Sequence, residues 1–143
     1  MSSIDDIGGG KRMNKKIMIV DDEPDVLKSL KTILEKHNYE VITVENGYDC
    51  IYEVQKGFKG VILMDIMMPE MDGWDTIREL INRGLMKGVS IEIITANGTY
   101  HREKMSGLET YINDYLAKPI DIAQLISSIK NCNMFYVEEL EDY

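Results

Sequence analysis

The chain has 143 residues, 44% of them hydrophobic, with 25 acidic residues against 16 basic and a formal net charge of −9. That length supports one domain with a real core, and the acidic balance disfavours a nucleic-acid surface, which needs clustered Lys and Arg. Cys50 and Cys132 are far apart and lack Cys-x-x-Cys or Cys/His spacing, so neither zinc nor a disulfide framework is supported, and two reduced thiols fit the cytosol.

No stretch of about 18 apolar residues is present, which argues against a secretory signal or a spanning helix; the expectation is a soluble, cytoplasmic protein with no membrane partner. Residues 1–13 are polar and contain Gly8-Gly9-Gly10 before a basic run, and read as a flexible leader. Lys11 is followed by Arg12 rather than Ser or Thr, and no strand precedes the glycines, so this is not a phosphate loop. From residue 14 to 132, strand-like and helix-like patterns alternate five times, the signature of an α/β fold with a parallel sheet covered on both faces.

The strands are expected at 17–20, 40–44, 61–65, 89–94 and 113–116. The first helix starts near Asp25 and places Val26, Leu27, Leu30, Ile33 and Leu34 on one stripe. A second, at 46–56, carries Ile51 and Val54, and a third, at 72–83, carries Trp74, Ile77, Leu80 and Ile81. Glycines 57, 60, 84 and 88 punctuate their exits. The fourth helix, around 100–108, has few apolar anchors, so its hold on the core should be weak. The last helix follows Asp121 as N-cap and turns Ile122, Leu125, Ile126 and Ile129 inward.

Chemistry concentrates at the strand ends. Asp21 and Asp22 follow the run Ile17-Met18-Ile19-Val20, and Asp65 follows Val61-Ile62-Leu63-Met64. A buried parallel strand that stops at an acid delivers a carboxylate into the crevice where open α/β sheets bind ligands. Acids after strands also serve as turn and cap residues, and Asp22-Glu23-Pro24-Asp25 is a good helix start, but that accounts for one acid of the pair and not for Asp65. Carboxylates sharing a small volume repel unless a proton or a cation sits among them, and hard oxygen ligands suit Mg²⁺. Thr95 ends the fourth strand and Lys118 the fifth, just before Pro119.

The combination Asp21-Asp22-Glu23-Pro24, Asp65-Ile66-Met67-Met68-Pro69, Asp72-Gly73, Thr95-Ala96 and Tyr115-Leu116-Ala117-Lys118-Pro119 resembles the receiver domain of two-component response regulators, of the stand-alone chemotaxis-regulator kind. The resemblance implies a doubly wound, flavodoxin-like sheet of order 2-1-3-4-5. It implies that Asp65 is the phosphoacceptor, with Mg²⁺ held by Asp22, Asp65, the Met67 backbone carbonyl and, through water, Asp21. Lys118 and Thr95 would contact phosphoryl oxygens, Thr95 and Tyr115 would form the switch, and the Lys118-Pro119 bond would be cis. Met67 and Asn97 lie where the family controls water attack on the acyl phosphate. The fourth helix, fifth strand and fifth helix would form the moving interaction face.

One departure stands out: small residues commonly precede the fifth strand in this family, whereas Tyr111-Ile112 occupies those places here. His37 and His101 fall on expected helix surfaces without a partner group, Asn97-Gly98-Thr99 fits a sequon that a cytosolic chain does not use, and the methionines read as core filling. Residues 133–143 join the apolar Met134-Phe135-Tyr136-Val137 to an acidic end and are too few for an output domain. The expected partners are a sensor histidine kinase and a downstream protein, with the chain a monomer or weak dimer and not itself an enzyme. Within that class a phosphorelay intermediate and a phosphate sink are alternatives. A Mg²⁺-dependent aspartyl-phosphate phosphohydrolase is a competing reading, disfavoured because Met67 stands where such enzymes carry a second acid.

Overall fold

The structure is a computed structural model and describes residues 15–96 and 102–132. Five strands form one parallel sheet of order β2-β1-β3-β4-β5: β1 Lys16–Val20, β2 Glu40–Val44, β3 Gly60–Asp65, β4 Val89–Ala96 and β5 Ile112–Lys118. The helices are α1 Pro24–Lys36, α2 Gly47–Gln55, α3 Gly73–Asn82, α4 Arg102–Met105 and α5 Ile122–Lys130. A tight helical turn, Glu109–Tyr111, leads into β5.

The central strands are largely apolar because both sheet faces are covered, with Glu92 and Thr95 on β4 and Asp65 at the end of β3 as buried polar exceptions. Alternate residues feed two cores: Met18, Val20, Ile62, Met64, Ile91 and Ile93 pack with α2 and α3, while Ile17, Ile19, Val61, Leu63, Ile94 and Leu116 pack with α1 and α5. Local chemistry sets the helix starts. Pro24 occupies the first turn of α1, Asn46 and Asp121 accept from the backbone amides of Asp49 and Gln124, and Asp72 and Asp75 form a reciprocal capping box on α3.

Three details differ from expectation. Val26 and Ile33 are only half-buried, because both line a groove between α1 and the segment Pro119, Ile120 and Ile122, Val26 also touching the edge of the second core. Among the described residues the fourth helix covers Arg102–Met105, and Leu108 just beyond it is buried while Met105 packs on the same core, so this region has apolar anchors. Met18, Met64 and Met68 fill the core, but Met67 is 55% exposed, since it stands in the loop leaving β3. The leader, Asn97 with its sequon, His101 and the 133–143 tail lie outside the described residues.

Candidate functional site

Register brings the acids together. β1 and β3 are neighbours with Val20 opposite Met64, so the residues that follow, Asp21 and Asp65, emerge side by side at the carboxyl edge. Asp21 is 1% exposed and Asp65 3% exposed, whereas Asp22 points outward. Each of the three offers a carboxylate oxygen within 4.8 Å of the others.

Backbone amides hold these carboxylates in place. Asp21 Oδ1 accepts from the Glu23 N–H at 2.9 Å, and Asp65 Oδ1 accepts from the Met67 N–H at 3.2 Å. The loop after β3 folds tightly, its Ile66 carbonyl accepting from the amides of both Met68 and Gly73. Gly73 is required there: a Cβ at that position would lie 2.7 Å from the Asp65 carbonyl oxygen and 2.9 Å from the Ile66 Cα. The start of α3 thus rests directly on the strand end that carries Asp65.

Lys118 closes the site from β5. Its ammonium donates to Asp21 Oδ2 at 3.0 Å and lies 3.5 Å from Glu23 Oε1 and 3.8 Å from Asp65 Oδ2. The Lys118-Pro119 peptide is cis. Thr95 is fully buried at the end of β4, one residue beyond Ile94, which pairs with Asp65; its hydroxyl donates to the Ala96 carbonyl at 3.3 Å. Tyr115 is half-buried on β5, and its hydroxyl donates to the Met105 thioether of α4 at 3.2 Å.

The charges do not balance. One lysine faces three aspartates and Glu23, and burial, then the Asp21 charge, pushes the Asp65 carboxyl up to about 7, with Lys118 and the Met67 amide opposing that rise. Burial alone would lower the Lys118 ammonium, but its hydrogen bond to Asp21 and the charges of Asp65, Asp21 and Glu23 outweigh that and raise it. Such a pocket gains from a second cation. Its all-oxygen donor set, with partly exposed Asp22 left open to water, fits Mg²⁺, which keeps several waters and takes one or two carboxylates.

The structure therefore gathers Asp21, Asp22, Asp65 and Lys118, and places Thr95 and Tyr115 on the adjoining strands. Glu23 is an addition: its position after two acids gave no signal beyond helix initiation, and only the reach of Lys118 across the sheet edge reveals it. Glu92 on β4 is a second addition: it is fully buried, and its place inside a strand gave no sign of that.

A family model described as the response regulator receiver domain matches residues 17–130. The chain is 33% identical over 114 residues to Protein PilH of Pseudomonas aeruginosa, covering 80% of this chain and 93% of that one. It is 36% identical over 116 residues to the transcriptional regulatory protein CusR of Escherichia coli, covering 80% of this chain but 49% of CusR, so it spans about half the length of that longer regulator. A solved CheY-like response regulator receiver domain protein from Methanospirillum hungatei superposes with a TM-score of 0.75 at 40% identity, over 90% of this chain and 98% of that one.

Proposed function

We propose that this chain, which belongs to the response regulator receiver domain family, accepts a phosphoryl group on Asp65 from a phosphohistidine of a sensor kinase. The observation that carries the reading is the buried Asp65 carboxylate between two further aspartates and an ammonium. A carboxylate oxygen of Asp65 attacks phosphorus, the bond from phosphorus to the histidine nitrogen breaks with its electron pair returning to the imidazole, and a mixed anhydride forms. Lys118, already 3.8 Å from Asp65 Oδ2, pairs with a phosphoryl oxygen. Asp22, Asp65 and the Met67 carbonyl are the groups that would hold Mg²⁺, with Asp21 orienting water; the bound ion supplies positive charge against which an anion can approach an anion.

The new phosphoryl oxygens offer the Thr95 hydroxyl an acceptor in place of the Ala96 carbonyl. That differential interaction is what can shift a two-state equilibrium, and the tie from Tyr115 to Met105 carries the change to α4. The face of α4, β5 and α5 then binds or releases a protein partner. The exposed Met67 side chain shields phosphorus from water, so Met67→Asn should hasten loss of the phosphoryl group. Asn97 is a second candidate for that control.

Incubation with Mg²⁺ and a small acyl-phosphate donor, followed by intact-mass measurement, tests the acceptor. The parent protein is expected to gain one phosphoryl group and Asp65→Asn none; equal uptake by both would sink the assignment.

A further inference from the structure

Six polar or charged residues are fully or nearly buried among the described residues: Asp21, Asp65, Thr76, Glu92, Thr95 and Ser128. Three belong to the site above, and the Thr76 hydroxyl is satisfied by the Asp72 carbonyl. Glu92 and Ser128 remain, and they meet each other on the opposite side of β4 from Thr95, beneath α5.

Glu92 is fully buried in the second core and faces α5 together with Ile94. Its Oε1 lies 2.5 Å from Ser128 Oγ, and the same hydroxyl lies 3.0 Å from Asp114 Oδ2 on β5. Glu92 Oε2 accepts from the Asn113 side-chain amide at 2.6 Å. A register irregularity between β4 and β5 at Ile91/Glu92 leaves Asn113 as the extra residue, which turns its amide toward the acid. The remaining groups facing Glu92 are Cys132 at the exit of α5, whose thiol lies 3.7 Å away, Ser90 on its own strand, which the same thiol reaches, and Lys15 before β1. The Lys15 ammonium is engaged by the carbonyls of Ile129, Lys130 and Cys132 at the end of α5.

The hydrogen count of this cluster is short by one. A serine hydroxyl carries one hydrogen, so between two ionised carboxylates it satisfies one and turns a lone pair on the other. One added proton resolves this: the Glu92 hydroxyl donates to Ser128, and Ser128 donates to Asp114. We infer that Glu92, Ser128 and Asp114 form a shared-proton latch, in which one proton taken from solvent ties α5 to the sheet and its loss at higher pH loosens that helix. Burial raises the Glu92 carboxyl above its ordinary value; hydrogen bonds that Ser128, Asn113 and Cys132 give to the ionised form oppose this, and the weaker effect of the Asp114 charge adds to the rise.

The latch lies away from the acidic crevice and does not depend on phosphorylation. It does touch the moving face, since Asp114 also accepts from the backbone amide of Tyr115 at 2.8 Å. The sign follows from linkage: a carboxyl raised in the folded state contributes its stabilisation in full below the ordinary glutamate value of 4.5, and loses it as pH rises through the raised value.

The full chain carrying ¹³C-labelled glutamate is titrated by NMR, the Glu92 carboxyl carbon being assigned by its loss in Glu92→Gln. Its midpoint is expected above the ordinary glutamate range, and a midpoint within or below that range overturns the latch. Asp114→Asn should move the midpoint downward, because the hydroxyl then has one anion to serve; an unchanged midpoint leaves burial alone as the cause and refutes proton sharing. Amide protection factors across α5 are expected to fall with rising pH in the parent and to stay level in Glu92→Gln, and an equal pH dependence in both would also overturn it.

Discussion

Asp65 is buried with Asp21 and Asp22 beside it, and in the metal-free protein burial and the Asp21 charge lift its carboxyl from 3.8 to about 7. A carboxyl raised on folding stabilises the protein fully below its unfolded value and loses that contribution as pH climbs through the folded one. Metal-free stability should therefore decline between about pH 4 and pH 7, and Asp65→Asn should lessen that decline, leaving the part that belongs to Glu92. Above pH 7 the variant is expected to be more stable by on the order of 2 kcal/mol, the effect being shared among coupled acids; urea unfolding in chelator across this range measures it. Gly73 sets a second limit at this scale, because its missing Cβ lets the first turn of α3 rest on the Asp65 carbonyl. The obstacle is backbone, which cannot swing aside as a side chain can. Gly73→Ala should cost about 1–3 kcal/mol by overpacking and slow phosphoryl uptake by shifting Asp65. The aspartates were legible because each ends an apolar run, whereas Glu92 was not: a lone acid inside a strand looks the same whether its side chain meets water or three hydrogen-bond partners.

The helices differ in how they are anchored, and the differences follow from their ends. α3 has a complete capping box, and its Asp72 carboxylate also receives the Lys104 ammonium at 2.6 Å, while Arg78 donates to the Lys104 carbonyl. One cap residue thus serves two elements. Asp72→Ala should lower stability by about 1 kcal/mol, mostly through the lost cap, since the ion pair is partly exposed and solvent-screened. Hydrogen exchange should show α4 and the first turn of α3 both losing more protection than α5; loss confined to α3 or spread evenly over all three would contradict the tie. Periodicity identified α1, α3 and α5 because each turns one apolar stripe to the sheet. It overestimated burial on α1, where Val26 and Ile33 lie toward a groove that exists only once the segment after β5 has folded past them. It underestimated the fourth-helix region, whose anchors Met105 and Leu108 are too few to make a stripe.

At the scale of the molecule, the parallel sheet carries two cores and one acidic rim, so a ligand at the rim is coupled to global unfolding. Mg²⁺ that binds the folded chain alone stabilises it by mass action, about 2.7 kcal/mol at a free concentration near one hundred times its dissociation constant. The thermal midpoint should rise with Mg²⁺, and Trp74, 1% exposed and next to Gly73, should change its fluorescence as the rim takes up the ion. An unchanged midpoint and emission would count against metal at these acids. Among the described residues no helix is long and apolar enough to cross a membrane.

The order of strands and helices, the buried stripes and the acids at two strand ends were determined by the sequence itself, because periodicity and caps act over a few neighbouring residues. Which groups would share one volume was decided only by the folded chain. Lys118 meets Asp21 across 97 positions of sequence, and Ser128 stands between Glu92 and Asp114 because β4, β5 and α5 pack together. Such contacts depend on strand register and on where a long side chain comes to rest, and neither leaves a local mark in the order of residues.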